Sequence, residues 1–272
     1  MTVGIQNRKG AAIEKRHIFF TRDYRHLPRP RMTMWLFVVL LIVPTIVGLV
    51  LFYPQISYGI SVWTSGVITN GTGIQTAVTS AEFIPAIGPV YLVDIAGSLP
   101  TFLFSVINLI VSAAILLAVA LLRRSGMRSF AIYVSMAMFV HMISSLFFIF
   151  FPEYFPYALV DYSELYMEQQ IAIWICIAGI SGFAIALIFS PFLSKLLSFV
   201  ATLVYTGIYG ITRYVLYLLI LHYFSSLYMA TLFFTLGVLF DFLQMVFIYI
   251  IYIRYASMKY GSQKEGTLWK WS

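Results

Sequence analysis

Long stretches without charge constrain this chain before anything else does. Six segments, 34–53, 98–122, 130–151, 171–190, 196–222 and 227–253, are predominantly apolar. Each meets the roughly 20 helical residues that an about 30 Å hydrocarbon core requires. Across 272 residues, 61% are hydrophobic and only 10% charged, with a mean hydropathy of +0.91. Soluble domains carry about 25% charged residues, so this chain could not cover a water-facing surface. A cytosolic globular enzyme, a nucleic-acid binder and a disordered protein are excluded. The expected fold is all-α and polytopic, with about six transmembrane helices spanning residues 32–254. Residues 1–31 form a basic segment before the spans and 255–272 a tail after them. The apolar stretch 83–95 is too short to cross and carries Pro85 and Pro89, so it reads as a re-entrant or interfacial piece.

The basic residues set orientation. Eight precede the first span, three (Arg123, Arg124, Arg128) lie between spans two and three, Lys195 lies between four and five, and four follow the sixth. The loops 54–97 and 152–170 contain no Lys or Arg but hold Glu82, Asp94, Glu153, Asp161, Glu164 and Glu168. The positive-inside rule therefore predicts that both termini are cytoplasmic, and Arg213 is the exception. A pI near 9.4 then reflects orientation in a lipid bilayer rather than affinity for nucleic acid. The expected location is the cell (cytoplasmic) membrane. The first span starts too far from the terminus to be a cleavable signal. Asn70-Gly71-Thr72 matches a glycosylation sequon on the outer loop.

Ionisable or reactive groups at membrane depth are costly and mark candidate sites. They are Cys176, Arg213, His222, Asp241 and His141. At about 1.5 Å per residue, Cys176, Arg213 and His222 are all expected in the outer leaflet. A guanidinium beside Cys176 would favour its thiolate, and an imidazole would serve as base or protonate a leaving amine. Asp241 and Gln244, one turn apart, suit a helix-to-helix hydrogen bond or a proton or ion path. One cysteine makes no internal disulfide or Cys-rich cluster. His141 has no partner at metal-ligand spacing and lies at a different depth from His222. No metal or cofactor is expected.

The segment Cys176-Ile-Ala-Gly179-Ile180-Ser181-Gly182 resembles the Cys-Ser/Thr-Gly-Ile segment of the exosortase and archaeosortase group of membrane transpeptidases. The helix from Thr212 and Arg213 to His222 is similar to that group's Arg-bearing helix. The resemblance covers residues 171–253. It implies a transpeptidase that cleaves C-terminal sorting signals of exported proteins at the outer face, with Cys176 as nucleophile and Arg213 as the binding or activating residue. An extra residue separates Cys176 from Gly179, and the group's third catalytic residue has no counterpart at 232–237, which leaves His222 as the substitute. Two other classes stay open: a non-catalytic membrane subunit that docks other subunits through its basic arm, and a secondary transporter or channel built on Asp241 and Gln244.

Overall fold

The computed structural model describes residues 32–82, 88–121, 128–188 and 190–260. The expected basic arm, 1–31, and tail residues 261–272 lie outside them. The chain is an all-α, multi-pass membrane protein, with one small β-hairpin among the described residues. Among the described residues, five helices are long and apolar enough to cross a bilayer, and a bent pair is the sixth candidate.

The first span is α1 (Met32–Phe37), a π-helical turn (Val38–Ile42) and α2 (Val43–Leu51). Pro44 explains the π turn. A proline has no N–H and its ring crowds the carbonyl four residues back, so the helix widens there. The Val43 N–H accordingly reaches the Val38 carbonyl, five residues back. At Phe52 the chain turns by 65° into α3 (Tyr53–Thr72), where Pro54 occupies the first turn. α3 falls in a stretch expected as loop. It ends at Gly73, whose φ of 75° lies in the left-handed region, and the sequon Asn70 stands exposed in its last turn.

β1 (Thr76–Glu82) and β2 (Pro89–Ile95) pair antiparallel, Val78 opposite Val93. Part of the expected re-entrant piece is thus a strand; 83–87 lie outside the described residues. Val90, Leu92, Val93 and Ile95 are buried against α3 and two later helices. A strand edge in an apolar setting must find partners for its backbone groups. Helix hydroxyls supply them: Ser57 Oγ accepts from Tyr91 N–H, Ser61 Oγ donates to the Tyr91 carbonyl, and Tyr214 Oη accepts from Val93 N–H at 2.9 Å.

The remaining elements are α4 (Phe102–Leu121), α5 (Arg128–Phe150), α6 (Leu159–Leu187), α7 (Phe192–Phe224), α8 (Met229–Leu236) and α9 (Val238–Tyr260). Five of the six expected spans correspond to these within a few residues, except that α6 begins twelve residues earlier than the expected 171. The expected acidic loop is therefore mostly the first turns of α6. Phe37 packs with Ala186, Phe199, Tyr252 and Ala256, so α1 starts at the bundle end where α9 finishes. Gly182 permits this contact, since a Cβ there would lie 2.7 Å from Ile42. α4 and α5 pack chiefly on each other. His141 of α5 ties them to the rest, with one ring nitrogen 3.0 Å from Thr231 Oγ1 and the other 3.2 Å from Asn108 Oδ1.

The hairpin edge yields a test. Tyr214→Phe leaves the Val93 N–H buried without an acceptor, which should cost about 1–3 kcal/mol in equilibrium unfolding of the chain in mixed micelles. An unchanged unfolding midpoint would show that the edge finds other partners.

Candidate functional site

The site is built around Arg213. Arg213 lies on α7, 4% exposed, in a helix otherwise rich in Leu, Ile and Tyr. A guanidinium at that depth has to be paired and hydrogen-bonded, because its desolvation is not otherwise offset. The partner is Asp241 on the first turn of α9, with Oδ2 2.7 Å from Nη1 and a side chain just as buried. A carboxylate there is also favoured by the positive end of its helix.

Gly237 makes the geometry available. A Cβ at this position would sit 2.4 Å from the Phe233 carbonyl oxygen, so a side chain is excluded. Here the last span breaks between α8 and α9, and side chains bond the carbonyls at the break; the Gly237 carbonyl also accepts from the Asp241 N–H at 3.4 Å. Arg213 Nη1 donates to the Gly237 carbonyl at 3.1 Å, and Tyr133 Oη donates to the Thr235 carbonyl at 2.7 Å. Broken backbone at membrane depth is tolerated only with such replacements. From α6, Gln170 Oε1 accepts from Arg213 Nη2 at 3.0 Å and Tyr166 Oη accepts from Nε at 3.1 Å. The guanidinium carbon also lies 5.4, 5.6 and 5.8 Å from the ring centres of Tyr166, Tyr209 and Tyr217, within cation–π range. Gly210 lets Gln170 in, since a Cβ there would be 2.6 Å from Gln170 Nε2.

Around this pair, polar atoms remain unsatisfied. Tyr162 Oη, Gln170 Nε2, Trp174 Nε1, Asp241 Oδ1 and Gln244 Oε1 are buried without a hydrogen-bond partner among the described residues. Residues 162, 166, 170 and 174 recur every fourth position, which puts them on one face of α6. Gln244, one turn beyond Asp241, donates to Thr206 Oγ1 at 3.0 Å, the expected helix-to-helix bond. Where α6 begins, a cleft of about 520 Å³ is lined by Asp161, Glu164, Glu168, Tyr162, Phe233 and Phe234 among others. Tyr162 thus belongs both to the cleft wall and to the electrostatic surroundings of Arg213.

The structure does not bring Cys176, Arg213 and His222 together. Cys176 is exposed on the bundle surface beside Ile180 and Phe183, which are also exposed. From Gln170, which touches Arg213, it is six residues on, about 9 Å deeper and some 120° around the helix. His222 lies nine residues beyond Arg213, about 13 Å along α7, where its Nδ1 sits 2.6 Å from the Ala96 carbonyl oxygen. The expected convergence failed because α6 starts at Leu159 and α7 runs on to Phe224, which shifts every depth counted from a span edge. The Arg213–Asp241 pair was missed for the same reason. Its signal was present: an isolated base and an isolated acid in apolar spans each need a partner.

Among the described residues, no three or more His, Cys, Asp or Glu are grouped to hold a metal. No family model, curated protein or solved structure matches this chain. A lipid-facing Cys176 should resist a membrane-impermeant thiol reagent in intact vesicles yet react with a membrane-permeant maleimide, and Cys176→Ala should leave stability within about 0.5 kcal/mol of the parent. Rapid labelling by the impermeant reagent, slowed by Arg213→Ala, would restore the thiolate reading.

Proposed function

We propose that this protein is a secondary transporter or channel whose working centre is the Arg213–Asp241 pair. The observation that carries the reading is a buried ion pair at the break of the last span. A helix used only for anchoring has no need of a break, and a discontinuous span with charge at the interruption is a common way to build a translocation site in lipid. Membrane-embedded ionisable residues mark ion and substrate paths more often than packing contacts. The first span also ends in a sharp bend, 65° at Phe52 into α3, so the first and last spans each adjoin a joint about which halves of the bundle can move.

The transpeptidase reading requires a thiol next to a base. Cys176 faces away from the bundle, and the guanidinium is engaged by Asp241, Gln170, Tyr166 and Gly237. In the transport reading the acidic, Lys- and Arg-free end carries the cleft and faces outward, while the basic segments face the cytoplasm. The unsatisfied atoms give an entering solute or water hydrogen-bonding partners that a dry packing seam would lack.

Water access to the seam is the test. In a Cys176→Ser background, Gln244→Cys in sealed proteoliposomes should react with a membrane-impermeant thiosulfonate. Absence of reaction until the protein is unfolded would mark the pair as a dry structural clasp and leave the non-catalytic subunit as the better reading.

A further inference from the structure

The unsatisfied atoms along α6 and α9 also say which ion such a site handles. We propose that the seam from Tyr162 to Gln244 is a hydrated proton path and that Asp241 is the residue protonated along it; this inference rests on the transport reading. Of the seven buried side-chain polar atoms without a partner among the described residues, five lie on this seam. Along α6, Gln170 and Trp174 are one turn apart, about 6 Å, which one water spans. Tyr162 is two turns before Gln170, about 12 Å, which takes a short file of waters past the engaged Tyr166 hydroxyl. Buried waters characteristically satisfy such atoms, provided the site is polar and offers several partners.

The chemistry of the set selects the proton over a metal cation. Gln170 Nε2 and Trp174 Nε1 are unpartnered N–H donors, which favour an acceptor such as a water oxygen over a cation. The Gln170 assignment is fixed, because its Oε1 accepts from Arg213. A hard cation requires about six oxygen ligands, and here a guanidinium already stands against the carboxylate. Water, by contrast, is satisfied by donors and acceptors together, and Tyr162 supplies a hydroxyl that is both. The cleft at the outer end concentrates cations through Asp161, Glu164 and Glu168. Tyr162, 4% exposed, separates that cleft from the pair, so it gates access to the seam.

Protonation balances simply. A hydronium in the seam transfers one proton to Asp241 Oδ1, an O–H bond forms, and a neutral water remains. Arg213 keeps its protons. The ionisable groups that face Asp241 are Arg213, Tyr209 and Tyr217 on α7 and Tyr166 on α6. None of the tyrosines is an anion near neutral pH, so Arg213 is the charge that opposes protonation. Once Asp241 is neutral, the guanidinium retains the Gly237 carbonyl, Gln170 and Tyr166 but loses its anion. The hold of α9 on α7 then weakens, which couples the proton to movement about the Gly237 break.

The proposal is tested by acid–base difference infrared spectroscopy on the full chain in lipid vesicles. Acidification should raise a protonated-carboxyl stretch that Asp241→Asn removes and Asp241→Glu shifts. Tyr162→Phe, which preserves packing, should leave the band in place but slow its appearance severalfold after a pH jump. A spectrum unchanged by both Asp241 variants would overturn the inference, since Asp241 would then stay ionised. Infrared bands report protonation alone and labelling at Gln244→Cys reports water access alone. A labelled seam without the Asp241 band would therefore sink the proton path and leave the transport reading standing.

Discussion

The Arg213–Asp241 ion pair is the interaction on which the rest of the bundle depends. Two charges taken from water into an apolar interior lose several kcal/mol of hydration each, and their attraction compensates only when every remaining donor and acceptor is also satisfied. Arg213 meets that demand through Tyr166 and Gln170 of α6, Asp241 of α9 and the Gly237 carbonyl at once. This fixes where the helices can lie. Gly210 must be bare so that Gln170 can approach, Gly237 must be bare so that the last span can break, and three tyrosine rings must surround the guanidinium. One arginine therefore sets the register of α6 against α7 and the placement of α9.

The same accounting of polar groups recurs wherever the backbone departs from regular helix. Pro44 removes a helical bond and the chain answers with a π turn. The open edge of β2 is closed by Ser57, Ser61 and Tyr214. At the α8–α9 break Tyr133 bonds the Thr235 carbonyl, and Arg213 joins the Asp241 N–H on the Gly237 carbonyl. At the α7–α8 turn, Ser225 has a φ of 124°, a conformation ordinarily left to glycine, and the turn is held by the Ser226 N–H bonded to the Ser98 carbonyl. Lipid offers no substitute partners, so each irregularity comes with its own replacement bond, from a side chain or from another stretch of backbone. Against this background the unpartnered atoms between Tyr162 and Gln244 stand out as the place where the rule is relaxed.

Much of the fold was legible in the sequence because apolar length alone identifies a span. The helices from Phe102 onward fell close to expectation for that reason. α3 was not legible: its Ser, Thr, Gly and Tyr residues lower its hydropathy, and its helicity depends on packing against the hairpin. The hairpin was hidden in turn, since residues 83–95 read as an apolar fragment, and the strand character of Pro89–Ile95 arises from pairing with a polar partner, Thr76–Glu82. At the site, single residues were legible and their relations were not. Arg213, Asp241, Gln244 and Cys176 were each notable as polar or reactive groups among apolar ones. Which of them meet is decided by helix rotation and by where each helix begins, and a shift of twelve residues in the start of α6 was enough to move Cys176 away from Arg213.

The most direct measurement is a double-mutant cycle on the pair, with Arg213→Met, Asp241→Leu and their combination compared by reversible unfolding in lipid bicelles. Each single change strands a buried charge and should cost about 3–5 kcal/mol, whereas the double change removes both charges and should cost less than either alone. Additive costs, or single changes that leave stability untouched, would contradict the account, because the two groups would then not be energetically coupled.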